Sequence, residues 1–187
     1  KKWSKSRVVN YRVVDGNTKP KKCRPSNGMV EVCSAKYGTT GWIGITQLRF
    51  ISGEHIVWAT VKMNETYFRQ KNGLYNTRNA RLHTMCLELG HALGLAHPAD
   101  ESRSCVNDSL ELLESTLAPS TQDFNNLDKM YDHRDSEVTV GRDKSRDRSA
   151  TAFFDPATIS GVDVSEDGTH TVTETRLPDG STVVTFI

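Results

Sequence analysis

The chain has 187 residues, enough for one ordinary domain with its own core and a small appendage. With 36% hydrophobic and 25% charged residues, its composition is that of a globular rather than a disordered protein. A formal net charge of +1 supplies no global field toward nucleic acid. No apolar run nears the roughly 20 residues of a membrane helix, so a membrane is not an expected partner either.

The first 24 residues carry nine Lys or Arg and one Asp, a cluster that suits a solvated surface. The opening KKWSKS has no apolar signal segment, so the expectation is a processed or truncated start. RVVNYRVV (7–14) predicts a strand that turns at Asp15-Gly16. In KKCRPSNGMVEVC, the run Pro25-Ser26-Asn27-Gly28 marks a turn between Cys23 and Cys33, in a hairpin or a looped excursion. GWIGITQLRFIS (41–52) is apolar at Trp42, Ile43, Ile45, Leu48 and Phe50 and includes glycines, which predicts an edge strand. After Ser52-Gly53, HIVWATVKM (55–63) is the best strand in the chain, β-branched and aromatic. NETYFRQKNGLYNTR predicts a loop.

A helix follows, with Asn79 as the expected N-cap and Gly94 as its left-handed end. Leu82, Met85, Cys86, Leu89 and Leu93 form a stripe that should face the core. His83, Leu87 and His91 fall on another face, which puts Leu87 where a cleft-facing ligand would sit. Beyond Pro98, SLELLESTLA has some helical character. PSTQDFNNLDKMYDH predicts a true helix, with a capping box from Ser120 and Asp123 and an apolar face of Phe124, Leu127, Met130 and Tyr131. Residues 135–152 are charged and polar, a linker. An extension over 153–187 ends in HTVTETRLPDGSTVVTFI, a β-hairpin about Pro178-Asp179-Gly180. There are no repeats.

Four cysteines (Cys23, Cys33, Cys86 and Cys105) are even in number and lack CxxC spacing. Two disulfides in a secreted protein are the expectation, with reduced, buried thiols as the alternative.

The chemistry lies in CLELGHALGLAH, from Cys86 to His97. A catalytic zinc commonly takes three protein ligands and leaves one position open. A glutamate on the same helix can accept a proton from attacking water and return it to a leaving amine. Glu88, His91, Gly94 and His97 have the spacing for this. The glycine lets the chain break from the helix and bring the second histidine back.

ELGHALGLAH resembles the metzincin signature HExxHxxGxxH at every defined position after the first, and the chain is most similar to matrixins and their bacterial relatives. The resemblance is specific over 86–97 and architectural over about 3–134, which makes 1–134 the catalytic-type domain, with a truncated start as an expectation. It implies an α/β (α+β) fold, in which a twisted sheet with an antiparallel edge strand precedes the active-site helix and a C-terminal helix follows. It also implies a secreted zinc-dependent endopeptidase acting on extended peptide or protein. Glu88 would be its base, His91 and His97 would be zinc ligands, and Trp42, Ile43, Gly44 and Ile45 on the edge strand would align substrate by main-chain pairing.

Two departures stand out. The family's first ligand aligns with Leu87, and the family's methionine beneath the metal aligns with Val106 in SCVNDS. By that alignment Leu87→His should raise zinc affinity. Asp108 and His83 are the candidates for a substitute ligand; His55 is a strand-end surface residue, and His133 and His170 have no assigned role. A Cys86–Cys105 bond would tie the helix to the loop under the metal and leave Cys23–Cys33, though the sequence leaves other pairings open. The missing first histidine supports an alternative, a catalytically inactive pseudoprotease that binds peptide in the old groove. Oligomeric state is open.

Overall fold

The computed structural model describes residues 2–51, 55–98, 102–133, 163–164 and 171–187. Three strands lead the fold: β1 (Val30–Ala35), β2 (Gly44–Ile51) and β3 (His55–Asn64). β3 lies between the other two, parallel to β1 and antiparallel to β2. It is paired on both sides and its residues from Val57 onward are buried, as its run of β-branched and aromatic side chains predicts.

The sequence missed β1, where a hairpin or looped excursion was expected. Its inward positions are Glu31 and Cys33 rather than a clean apolar set, so the alternation is masked. Glu31 is buried because the Ser26 hydroxyl (2.6 Å) and the Asn17 amide donate to it. Residues 7–14 are a second correction. They are extended in composition but join no ladder, and Val13 is 94% exposed. Val9 and Tyr11 pack against the cluster around Trp3 and Cys86, but strand propensity also needs a strand to pair with, and 7–14 has none.

The loop expected after β3 opens with a single turn of helix, α1 (Glu65–Phe68), capped by Asn64. Helix α2 (Arg78–His91) has its cap two residues before the predicted one. Thr77 is the N-cap and accepts from Ala80 N at 3.0 Å, whereas the Asn79 amide donates outward to Glu114 O. The helical character of 109–118 reduces to a 3-10 turn, Leu110–Leu112. Helix α3 (Thr121–Met130) carries the predicted capping box of Ser120 and Asp123.

The chain ends in β4 (Asp163–Val164), β5 (Thr171–Arg176) and β6 (Thr182–Phe186). β5 and β6 form the expected hairpin, with Gly180 at φ +81° in its turn. The full sheet runs β1-β3-β2-β6-β5-β4, a mixed open sheet in an α+β fold. The linker expected at 135–152, His170 and the first part of the extension lie outside the described residues. β2 is therefore not an edge strand: β6 pairs antiparallel along it, from Thr46 with Phe186 to Phe50 with Thr182.

Helix α2 lies across β2 and β3 and divides the core. Leu48, Ala59, Val61, Ala92, Val184 and Phe186 fill the space toward the sheet. On the other side, Trp3, Leu87, Leu93, Leu95, Val106 and Leu127 gather around the Cys86–Cys105 bond. The other disulfide joins Cys23 and Cys33. Both bonds fit an oxidising, extracellular-type environment. Among the described residues no helix is long and apolar enough to cross a membrane.

Candidate metal centre

Helix α2 delivers His91 as its last residue, and the chain then reverses. Gly94 adopts φ +88°, where a Cβ would also meet Met130 Cε at 2.8 Å, so glycine suits both the turn and the packing. The reversal brings the Leu95 carbonyl to His91 Nδ1 at 2.7 Å and His97 Nε2 to His91 Nε2 at 3.1 Å. A carbonyl only accepts, so Nδ1 carries the proton and Nε2 keeps its lone pair. This is the tautomer that a metal-binding imidazole needs, held by a backbone oxygen.

Asp108 reaches the same place from the loop after Cys105, with Oδ2 3.6 Å from His97 Nε2. In a tetrahedral zinc site with bonds of about 2.0–2.1 Å, neighbouring donor atoms are about 3.3 Å apart. The two observed separations bracket that value. The donor chemistry thus fits two imidazole positions, with a carboxylate adjoining one of them. Among the described residues, no group of three or more His, Cys, Asp or Glu side chains is assembled to hold a metal ion.

Glu88 is buried against β2. Thr46 Oγ1 donates to its Oε2, and a Cβ at Gly44 would sit 2.8 Å from its Cγ. Gly44 is thus a place where the helix side chain and the strand backbone meet too closely for any larger residue. Burial pushes the Glu88 carboxyl up, the Thr46 hydrogen bond pulls it down, and the charge of Asp108 raises it again, to about 8. The carboxyl is therefore poised near neutrality, in reach of the field of Asp108.

The other predicted residues sort clearly. His83 is buried with Nδ1 2.6 Å from Thr116 O and Nε2 3.0 Å from Asn107 O. Backbone carbonyls occupy the approach to both of its nitrogens, and His83 is removed as a substitute ligand. His55 and His133 face each other edge-on with centroids 5.8 Å apart. Val106 is fully buried and lies under the helix, where a Cβ on Gly90 would touch its Cγ2 at 3.0 Å and the Trp3 ring at 2.9 Å.

Leu87 is only 7% exposed and belongs to the apolar cluster, while Leu82 on the predicted stripe is 39% exposed. The core-facing arc of α2 is thus rotated toward Leu87, so core packing explains a leucine where a cleft-facing position was expected. Of the expected substrate-aligning residues, Ile45 is buried, Trp42 tilts against Tyr37 at 5.2 Å, and Ile43 O accepts from Asn64 N on the β3 side. Gly44 opens β2, and the ladder to β6 begins only at Thr46.

Two participants were not legible in sequence. Thr46 holds Glu88, and Phe186 lies flat on the His91 ring, with centroids 4.4 Å apart and planes 4° from parallel. Thr46 looked like any strand threonine. Phe186 meets His91 only through a pairing that joins distant parts of the chain, for which no local signal exists. Comparison with protein-family models, with characterised proteins and with solved structures finds no match, so the geometry of His91, His97, Asp108 and Glu88 carries the functional reading by itself.

Proposed function

We propose that this is a metzincin-like, zinc-dependent peptidase centre of a secreted protein, with a reduced ligand set of His91 and His97 and with Asp108 adjoining it. The observation that carries the reading is the convergence of the two Nε2 atoms at 3.1 Å with the Leu95 carbonyl fixing the His91 tautomer. Zinc held there would supply Lewis acidity toward a peptide carbonyl. Glu88 would accept a proton from attacking water and pass it to the leaving amine. Extended peptide substrate would align along the β2 side of the cleft.

A second reading, a peptide-binding pseudoprotease, is favoured by one particular feature: Leu87 is a core residue where the motif calls for a ligand. Calorimetric zinc titration of the chelator-stripped full chain, with casein hydrolysis alongside, separates the readings. The parent is expected to bind one equivalent of zinc. His91→Ala and His97→Ala should abolish that binding, and Asp108→Asn should weaken it by about tenfold or more. Glu88→Gln should end hydrolysis without changing metal content. Zinc binding without casein hydrolysis would favour the pseudoprotease, and a parent that binds no zinc refutes the metal centre.

A further inference from the structure

The C-terminal hairpin stands where an incoming peptide would have to lie. β6 runs antiparallel along β2 over five residue pairs. Its even-numbered side chains, Val184 and Phe186, enter the core beneath α2 with Leu48, Ala59, Val61 and Ala92. On the opposite face Val183 packs with Val57 and Trp58, and Gln47 Nε2 donates to Thr185 Oγ1 at 3.3 Å. Phe186 covers one face of His91. β6 therefore makes every contact expected of a bound strand: main-chain pairing, alternate apolar side chains and an aromatic ring beside the candidate centre.

Besides its buried side chains, the hairpin has a polar fastening at its far end. Arg49, on β2, donates to Asp179 at 2.6 Å and to Ser181 Oγ at 3.0 Å, and the Asp179 side chain is 53% exposed. This clasp is polar and surface-placed, separate from the apolar contacts of Val184 and Phe186.

We infer that the C-terminal hairpin is an in-cis occupant of a peptide-accepting edge on β2, and that the ligand class is an extended peptide with apolar residues two positions apart. The inference rests on the reading of β2 as the peptide side of the cleft. A tethered strand competes at high effective concentration, so a free peptide gains the edge only when the hairpin leaves. Apparent affinity then scales with the fraction of molecules whose edge is open.

The test uses the full chain and a fluorescein-labelled peptide of sequence STVVTFI, that of residues 181–187, followed by anisotropy. Asp179→Ala opens the clasp without touching the core or the histidines. The pair Gln47→Cys with Thr185→Cys, oxidised across the β2–β6 ladder, locks it. Asp179→Ala should bind the peptide about tenfold more tightly than the parent, and the locked chain should bind at least about tenfold more weakly than Asp179→Ala, both from the change in open fraction. Faster amide exchange at Val183 and Thr185 in Asp179→Ala should accompany the gain. A locked chain that binds as well as Asp179→Ala overturns the inference, and so does absence of binding by either. Zinc titration is read separately: its failure removes the metal centre and leaves the peptide comparison intact.

Discussion

Leu87 is the residue on which the two functional readings divide. By motif alignment it stands in for a ligand, but in the fold it is a core residue beside Cys86, Leu95 and Val106. Replacing it with histidine puts a polar ring into that cluster and removes apolar contacts. Leu87→His is therefore expected to lower unfolding free energy by about 2–4 kcal/mol, with no gain in zinc affinity. Urea denaturation with parallel zinc titration checks this; unchanged stability with tighter zinc binding would return Leu87 to the cleft. The contrast with His91 and His97 shows what a motif encodes. Their meeting depends on one helical turn and Gly94, all local, so spacing alone located them. The surroundings of Leu87 depend on Trp3 and Leu127, which spacing does not specify.

At the scale of elements, one buried carboxylate ties three of them together. Glu65 opens α1 and receives the Ser34 hydroxyl from β1, Arg69 Nε at 2.8 Å from α1's own end, and Arg81 from α2. Arg81 also lies over the Phe68 ring, 4.7 Å from its centroid. Burial raises the Glu65 carboxyl, but the hydrogen bonds from Arg81, Ser34 and Arg69 and the Arg81 charge outweigh it and hold the group at about 2 against an ordinary 4.5. Because the folded value is the lower one, the unfolded chain takes up the proton first as pH falls. The Glu65 contribution should be complete above pH 4.5 and drain away between 4.5 and about 2. Urea midpoints measured across that window for the parent and Glu65→Gln should converge toward low pH; a constant gap refutes the assignment. Helix α3 was legible because Ser120 and Asp123 cap it locally. The start of α2 was misplaced because Thr77 and Asn79 are both good capping residues, and only the tertiary fold turns the Asn79 amide to Glu114 while Thr77 accepts from Ala80 N.

For the whole molecule, the hairpin turn at 178–180 was readable, but its destination was not. The pairing of Phe50 with Thr182 joins parts of the chain with no intervening sequence cue, and it converts the expected edge strand into an interior one. Nor could composition show that the valines of 7–14 would remain outside the sheet. The Cys86–Cys105 bond closes a loop of sequence separation 19 and fastens α2 to the segment bearing Val106 and Asp108. The chain-entropy model gives such a loop about 3 kcal/mol, so Cys86→Ser with Cys105→Ser should lose roughly that amount in denaturant unfolding, and undiminished stability would refute a structural role.

Trp3 lies in the same cluster as that bond, and its indole donates to the Cys86 carbonyl at 3.0 Å. A disulfide close to an excited indole drains its emission by accepting an electron. Opening the Cys86–Cys105 bridge should therefore brighten the tryptophan fluorescence before the helix melts. The protein thus carries its own optical reporter of whether the bond from α2 to the Val106 segment is intact.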